Sequence, residues 1–398
     1  MKDLKHLIYF EDLLEQADNE LVEQAKKEGN HPIGYTCYHI PEVLLNVDNC
    51  FSVRMRAPHT LNADIATYYM SNYTCSFARA LVERAVEGGF NFLDAVIGVD
   101  ACSAMNRTYE HMEILDVNKE NPNFFVTHTD MPYKITPYTI DEYVSQMRIH
   151  VLDNLKKNYG VDTSDKAIRK AVKEHNEVCK IINEMMEMRK EENPVITGYE
   201  FCVIVLVTYA CPKALILPYL KETLAELKKR KPDAKSPFRA RVAMVGSEID
   251  DPSLIKLVEG CGALVVSDRF CFGSTPGREI IELNDDEDAL TQICRHYIET
   301  AECARYISNE KVEQRRETSD RLAKEYKADG IIYEQMKYCD YWGFERALVT
   351  HVMTEQYGWP ILSIDRVYDN GNSGQLRTRV QAFVESLEIK AINKAKKA

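Results

Sequence analysis

Long apolar runs are missing from this sequence. The longest, Phe201 to Cys211, is too short to cross a bilayer and is followed by Pro212 and Lys213, so it reads as a core helix or strand. Met1 to Gln16 mixes acids with apolar residues, and no secretion signal is expected. An excess of positive charge is also missing. The net charge of −12 excludes a nucleic-acid backbone or an anionic membrane as the main partner. The short basic end, Lys390 to Lys397, reads as a frayed helical tail. There is no Cys-x-x-Cys pair, which removes zinc ribbons and ferredoxin-type cluster runs. Without a P-loop ending in Gly-Lys-Ser/Thr, a Gly-x-Gly-x-x-Gly turn or a nucleophile elbow, the chain is not expected to hydrolyse ATP itself. No short repeat or low-complexity segment occurs. The expected compartment is the cytoplasm.

What is present is a folded α/β chain. At 398 residues it exceeds one ordinary core, and two or three domains are expected. Strand-like segments at Ile33–Tyr38, Phe51–Ala57, Phe92–Val99 and Asn123–Thr129 alternate with helical spacing, notably Cys75–Glu87, which Gly88-Gly89 stops. Pro41 opens a further short helix. This rhythm predicts a parallel sheet in a first domain, residues 1–140. Residues 141–235 read as mostly helical, with Ile168, Val172, Val178, Ile182 and Met185 at helical spacing and a linker at 231–237. The rhythm resumes in a second domain, 236–398. Its predicted strands are Arg241–Gly246, Ala263–Val266, Gly330–Glu334 and Pro360–Ile364. Helices are predicted at Leu254–Glu259, Ala289–Ile307, Glu310–Tyr326, Glu345–Gln356 and Gln375–Glu388.

Twelve cysteines in a cytoplasmic chain should be reduced, and most should be buried structural thiols. Three have a special placement: Cys75 in Asn-Tyr-Thr-Cys-Ser-Phe-Ala-Arg, Cys102 in Gly-Val-Asp-Ala-Cys-Ser-Ala-Met and Cys339 in Met-Lys-Tyr-Cys-Asp-Tyr-Trp-Gly. Each precedes a predicted helix, and Cys102 and Cys339 follow predicted strands. Thiolates there meet unpaired N–H groups and the positive end of the helix dipole, which suits an anionic iron–sulfur cluster. Three thiolates would leave one iron of a four-iron cluster open to water, a small ligand or substrate. Three plain structural thiols are the competing reading, and both stay open at this point.

Cys37, in Gly34-Tyr-Thr-Cys-Tyr-His-Ile-Pro-Glu, also lies near a strand end; it could line the same cleft, but the buried structural thiol is the favoured reading. Cys261 and Cys271 flank a strand without ligand-like spacing. Cys50, Cys179, Cys202, Cys211, Cys294 and Cys303 are expected in the core. Gly273-Ser-Thr-Pro-Gly277 is expected to be a turn. Asn370-Gly-Asn-Ser-Gly-Gln, with Arg377 and Arg379 after it, is either an anion-binding loop or a solvated turn.

The three cysteine contexts, the Gly-x-x-Cys-x-x-x-Pro-Glu stretch at 34–42 and the ending Gln375-Leu-Arg-Thr-Arg-Val-Gln-Ala-Phe together resemble the 2-hydroxyacyl-CoA dehydratase/benzoyl-CoA reductase family over nearly the whole chain. The resemblance implies two Rossmann-like (flavodoxin-like) domains with a helical insertion. It also implies a [4Fe-4S] cluster on Cys75, Cys102 and Cys339, a related second subunit and a separate ATP-hydrolysing iron–sulfur activator. The implied activity is that of a lyase of anaerobic metabolism, removing water from a 2-hydroxyacyl-CoA through a ketyl radical. Tyr38 and His39 stand where substrate-binding dehydratase subunits can carry a serine, so the pocket is expected to differ or to lie in the partner. The sequence assigns no catalytic residue. Two alternatives stand beside this reading: a benzoyl-CoA-reductase-like or double-cubane-type low-potential reductase subunit, and a cluster-free α/β binding protein.

Overall fold

A computed structural model describes residues 2–60, 63–234, 236–368 and 373–396. Eight strands form two all-parallel sheets of four. The first holds β1 (His31–Tyr35), β2 (Cys50–Arg54), β3 (Ala95–Val99) and β4 (Phe125–Thr129) in the order β2-β1-β3-β4. The second holds β5 (Ala240–Gly246), β6 (Ala263–Arg269), β7 (Gly330–Met336) and β8 (Ile361–Arg366) in the matching order β6-β5-β7-β8. Each predicted strand has its counterpart. The two-sheet α/β architecture with helices between is the one the sequence implied.

The central strands are apolar on both faces because helices cover both. In β3 the side chain of Val96 enters one core while Ala95, Ile97 and Val99 enter another. In β5, Val242 and Met244 face one core and Ala243 and Val245 the opposite one. This two-sided burial explains why these strands read as continuous apolar runs instead of alternating ones.

Every described element between β4 and β5 is helical. Helix Asp165–Met188 starts at Ser164, whose hydroxyl accepts from the Ala167 N–H, and it buries Ile168, Val172, Val178, Ile182 and Met185 along one face. The apolar run forms helix Gly198–Ala210, opened by a capping box between Thr197 and Glu200. It packs against both β2 and β6, which accounts for its being apolar nearly all round. A buried ionic cluster adds a second tie. Glu42, just after the first sheet's leading loop, binds Lys213 of the helical region and Arg278 beyond β6, the latter at 2.7 Å.

One helix departs from expectation. The segment predicted as Ala289–Ile307 leaves helical geometry after Thr300, with Ala301 at ψ 122°. Residues 301–308 form a loop whose carbonyls are taken by cations: Lys311 Nζ donates to Ala301 O (3.3 Å) and Arg315 Nη1 to Cys303 O (3.2 Å) and Tyr306 O (2.7 Å). Buried side chains thus replace the lost helical hydrogen bonds.

The crests of the two sheets face each other. Ser76 N donates to Lys337 O (3.4 Å), and the Tyr368 N–H donates to Ser76 Oγ (2.9 Å). The Tyr368 hydroxyl accepts from Ala57 N (3.1 Å) and donates to Asp250 Oδ2 (2.6 Å). Arg56 Nε donates to Asp250 O at 2.8 Å. Among the described residues, no helix is long and apolar enough to cross a membrane.

Candidate metal centre

Cys75, Cys102 and Cys339 each occupy the residue immediately before a helix: Ser76–Val86, Ser103–Leu115 and Asp340–Glu355. Cys102 is reached by a short turn after β3. The turn from β7 to Cys339 is sharper. Tyr338 there adopts a left-handed backbone at φ 66°, which costs a side-chain-bearing residue about 1–2 kcal/mol. Such a conformation persists where the surroundings over-determine it, and such places concentrate at functional sites.

The three thiols make no capping hydrogen bond to their helices, but first-turn backbone N–H groups favour the thiolate at each sulfur: those of Phe77 and Ala78 for Cys75, Met105 for Cys102 and Trp342 for Cys339. The bare thiols remain protonated all the same. Burial pushes Cys75 up to about 11 and Cys102 up to about 12, and it holds Cys339 well above its ordinary value, the N–H donors opposing in each case. A metal group binding here would displace those protons.

All three sulfur-bearing side chains line one cleft of about 900 Å³, counted out to its open mouth, between the two crests. Phe77, Val99, Met105, Met336 and Trp342 supply apolar walls, with Tyr338 and Tyr341 also on the lining. Among the described residues, no group of three or more His, Cys, Asp or Glu side chains is arranged to hold a single metal ion. Thiols spread around a cleft fit a larger object. A multi-iron cluster interposes several iron atoms between its thiolates, and its preference for soft sulfur donors matches this set.

The same cleft receives three further thiols, Cys37, Cys271 and Cys303, which on sequence alone read as structural or core. Cys37 follows β1, Cys271 follows β6, and Cys303 sits on the loop that replaces the end of the expected helix. Cys50, Cys179, Cys211 and Cys294 are buried away from the cleft, as expected of core thiols. Glu248, at the crest after β5, also lines it. Burial pushes its carboxyl up to about 8 against the opposing effect of Arg54, whose Nη2 lies 3.7 Å away. Sequence reasoning missed this residue; its place just beyond a central strand of the second sheet was the signal that pointed to it.

The segment Gly273–Gly277 is a turn, with Ser274 bound through N and Oγ to Asp268 Oδ2 at 2.9 and 3.0 Å. Asn370–Asn372 of the suggested anion-binding loop lie outside the described residues. Arg377 and Arg379 belong to helix Ser373–Ala395. Tyr38 stacks on Tyr297 and its hydroxyl meets Thr300 Oγ1 at 2.7 Å, while His39 is fully buried.

Residues 37–387 match the model of the family described as 2-hydroxyglutaryl-CoA dehydratase, D-component. The chain is 24% identical to the (R)-phenyllactyl-CoA dehydratase beta subunit of Clostridium sporogenes over 380 residues, 95% of this chain and 97% of that one. It is 21% identical to the (R)-2-hydroxyglutaryl-CoA dehydratase, subunit beta, of Acidaminococcus fermentans, covering 91% of this chain and 94% of the other. Identity to a benzoyl-CoA reductase subunit of Thauera aromatica is 19%, with 81% of each chain covered. The chain belongs to the 2-hydroxyglutaryl-CoA dehydratase D-component family.

Proposed function

We propose that this chain is the cluster-bearing subunit of an iron–sulfur-dependent 2-hydroxyacyl-CoA dehydratase, a lyase that removes water from a 2-hydroxyacyl-CoA. The observation that carries the reading is the meeting of Cys75, Cys102 and Cys339, each ahead of a helix, on one cleft between two parallel-sheet crests. A [4Fe-4S] cluster held by these three would supply single electrons at low potential. The chain's own part is to hold and shield it. The N–H groups of Phe77, Ala78, Met105 and Trp342 stabilise negative charge on the sulfurs, and the apolar walls keep water away.

The relatives' names, as beta subunits of dehydratases, support a permanent related partner subunit. The absence of any P-loop sequence supports a separate ATP-hydrolysing activator as the electron source. Twelve free cysteines fit a reducing cytoplasm. A second reading, a low-potential reductase subunit, is favoured by the three extra thiols on the cleft.

Iron and sulfide analysis of anaerobically purified protein tests the assignment. Cys75→Ala, Cys102→Ala and Cys339→Ala should each remove about four iron per chain, while Cys294→Ala in the core should remove none. Full iron retention in all three would refute it. Conversion of a 2-hydroxyacyl-CoA to a 2-enoyl-CoA should require second subunit, activator, Mg²⁺ and ATP together. Reduction of benzoyl-CoA in that mixture without dehydration would select the reductase, and sustained turnover by the single chain without ATP would contradict both.

A further inference from the structure

We propose that Glu248 is a redox-linked proton carrier, its carboxyl binding one proton when an electron enters the iron–sulfur group held in the cleft. The inference rests on the cluster reading of Cys75, Cys102 and Cys339 and adds to it a residue outside that triad. Its basis is where the carboxyl stands and which groups face it.

Glu248 lies two residues beyond the end of β5, and its backbone is held on both sides. Its carbonyl accepts from Arg366 Nη2 at 2.6 Å. The preceding residue, Ser247, donates through N and Oγ to Glu334 Oε2 at 3.0 and 2.9 Å. The Glu248 side chain is thereby fixed on the wall of the main cleft, where it also borders an adjoining recess of about 440 Å³.

A second, independent observation is that one carboxyl oxygen has no partner. Oε2 is buried and accepts no hydrogen bond among the described residues. The cation beside it is Arg54, whose Nη2 donates to Thr36 O at 3.3 Å and stays 3.7 Å from Oε2, too far for a hydrogen bond. An ionised carboxylate so placed gives up its hydration for little in return, whereas the protonated acid does not. Burial accordingly pushes the carboxyl up to about 8.

The surrounding charges divide into two sets. Arg54 on β2 and the Cys271 thiol after β6 favour the ionised form, while Asp250 and Glu334 oppose it. On the recess wall Arg269 and Glu302 pair with each other at 3.4 Å, and burial pulls His39 down to about 3, so it stays neutral. Cys102, Cys339, Asp340, Tyr109, Tyr338 and Tyr341 complete the titratable lining of the cleft. Through space, the charge of Glu248 pushes up the thiols of Cys37, Cys303 and Cys75. Such coupling is reciprocal, so negative charge arriving beside Cys75 pushes Glu248 up in turn. The step balances. One electron reaches the cleft from the activator, or from dithionite in vitro, and one solvent proton forms the O–H bond of the Glu248 acid. No net charge is added. Below about pH 8 the proton is already in place, and the electron enters alone.

The experiment is an EPR-monitored redox titration of the full chain, purified anaerobically and reconstituted with ferrous iron and sulfide, on both sides of that pH. The midpoint potential should be level below about pH 8 and fall above it, toward about 59 mV for each tenfold fall in proton activity. In Glu248→Gln, whose amide stands in for the neutral acid, it should be level throughout. Glu334→Gln should keep the slope, which excludes the neighbouring acid as its source. Circular dichroism verifies folding. Where Glu248→Gln does not fold, Glu248→Asp should move the pH at which the slope begins. A level potential in the unmodified chain carrying about four iron, an unaltered slope in folded Glu248→Gln, or an unmoved onset in Glu248→Asp would overturn the proposal. Failure of the cluster reading shows differently, as full iron retention in Cys75→Ala, Cys102→Ala and Cys339→Ala, so the two failures are distinguishable.

Discussion

Arg315 offers the sharpest test of how the cleft is held in shape. Its guanidinium is 1% exposed, and Nε and Nη2 donate to Glu345 at 2.8 and 2.7 Å. Its Nη1 takes the carbonyls of Cys303 and Tyr306. Glu345 lies on helix Asp340–Glu355, the helix that Cys339 precedes. One side chain therefore ties the Cys303 loop to the Cys339 helix. In Arg315→Met, Glu345 is left as a buried charge without this partner, and two loop carbonyls lose their donor.

Breaking one side of a buried pair costs about 3–5 kcal/mol. At about 2.1 cal/mol/K of unfolding entropy per residue, a chain of this length melts with about 0.8 kcal/mol/K, so Tm should fall by about 4–6 °C. Glu345→Leu alone should cost a similar amount. The double variant should recover much of the loss, because both charges leave the interior together. Arg315→Lys should not rescue, since a point ammonium cannot serve a forked carboxylate pair and two carbonyls at once. Thermal melts of the metal-free protein followed by circular dichroism measure all four. A fall below about 1 °C in Arg315→Met, or strict additivity in the double variant, would refute the reasoning.

Two further outcomes are expected. His175 is buried, and burial, with Lys213, Arg278 and His296 acting the same way against Glu42, pulls it from an ordinary 6.5 down to about 3. The folded-state value being the lower one, its stabilisation is complete above pH 6.5 and is lost as pH falls toward 3, so His175→Gln should flatten the acid limb of Tm against pH in that window. An acid limb of unchanged slope would contradict this. Gly198→Ala would put a Cβ 2.4 Å from the Val265 carbonyl oxygen, forcing helix Gly198–Ala210 off β6. A loss of about 1–3 kcal/mol is expected in a denaturant melt, and an unchanged midpoint would mean that the two elements do not pack so closely.

The strands were legible in the sequence because strands buried on both faces advertise themselves as apolar runs. Cys75, Cys102 and Cys339 were legible because each stands directly before helical periodicity. Of the other thiols on the cleft, Cys303 and Cys271 were hidden by tertiary interactions. No glycine or proline marks the end of the helix at Thr300, since Arg315 and Lys311, 9 to 12 residues from the carbonyls they hold, end it instead. Cys271 flanks its strand as expected, but its approach to the cleft was not legible because β6 runs on through polar residues that seemed to close it. Asp268 meets Arg189 at 2.9 Å and Arg269 pairs with Glu302 at 3.4 Å, so the charged end of the strand stays in the sheet and carries the next loop to the cleft. Cys37 lay at a strand end in plain sight, but nothing local separates a thiol at a crest from one in a core.

The matching strand orders give the arrangement a physical logic. In each sheet the order reverses direction between the first strand and the third, β1 and β3 in one and β5 and β7 in the other, and open parallel sheets take ligands at the strand ends beside such a reversal. Here the two reversal points face each other. The loops after β1, β2 and β3 bring Cys37, Cys75 and Cys102 from one side; the segments after β6 and β7 bring Cys271, Cys303 and Cys339 from the other. The proposed triad does not come from one sheet: it needs Cys339 to complete Cys75 and Cys102. A metal group there would bind only when the crests are together, so its binding free energy becomes interface stability. The contacts of Tyr368 with Ser76, Ala57 and Asp250, and of Arg56 with Asp250, then preorganise the cleft, which lowers the ordering cost that any group bound there would otherwise have to offset.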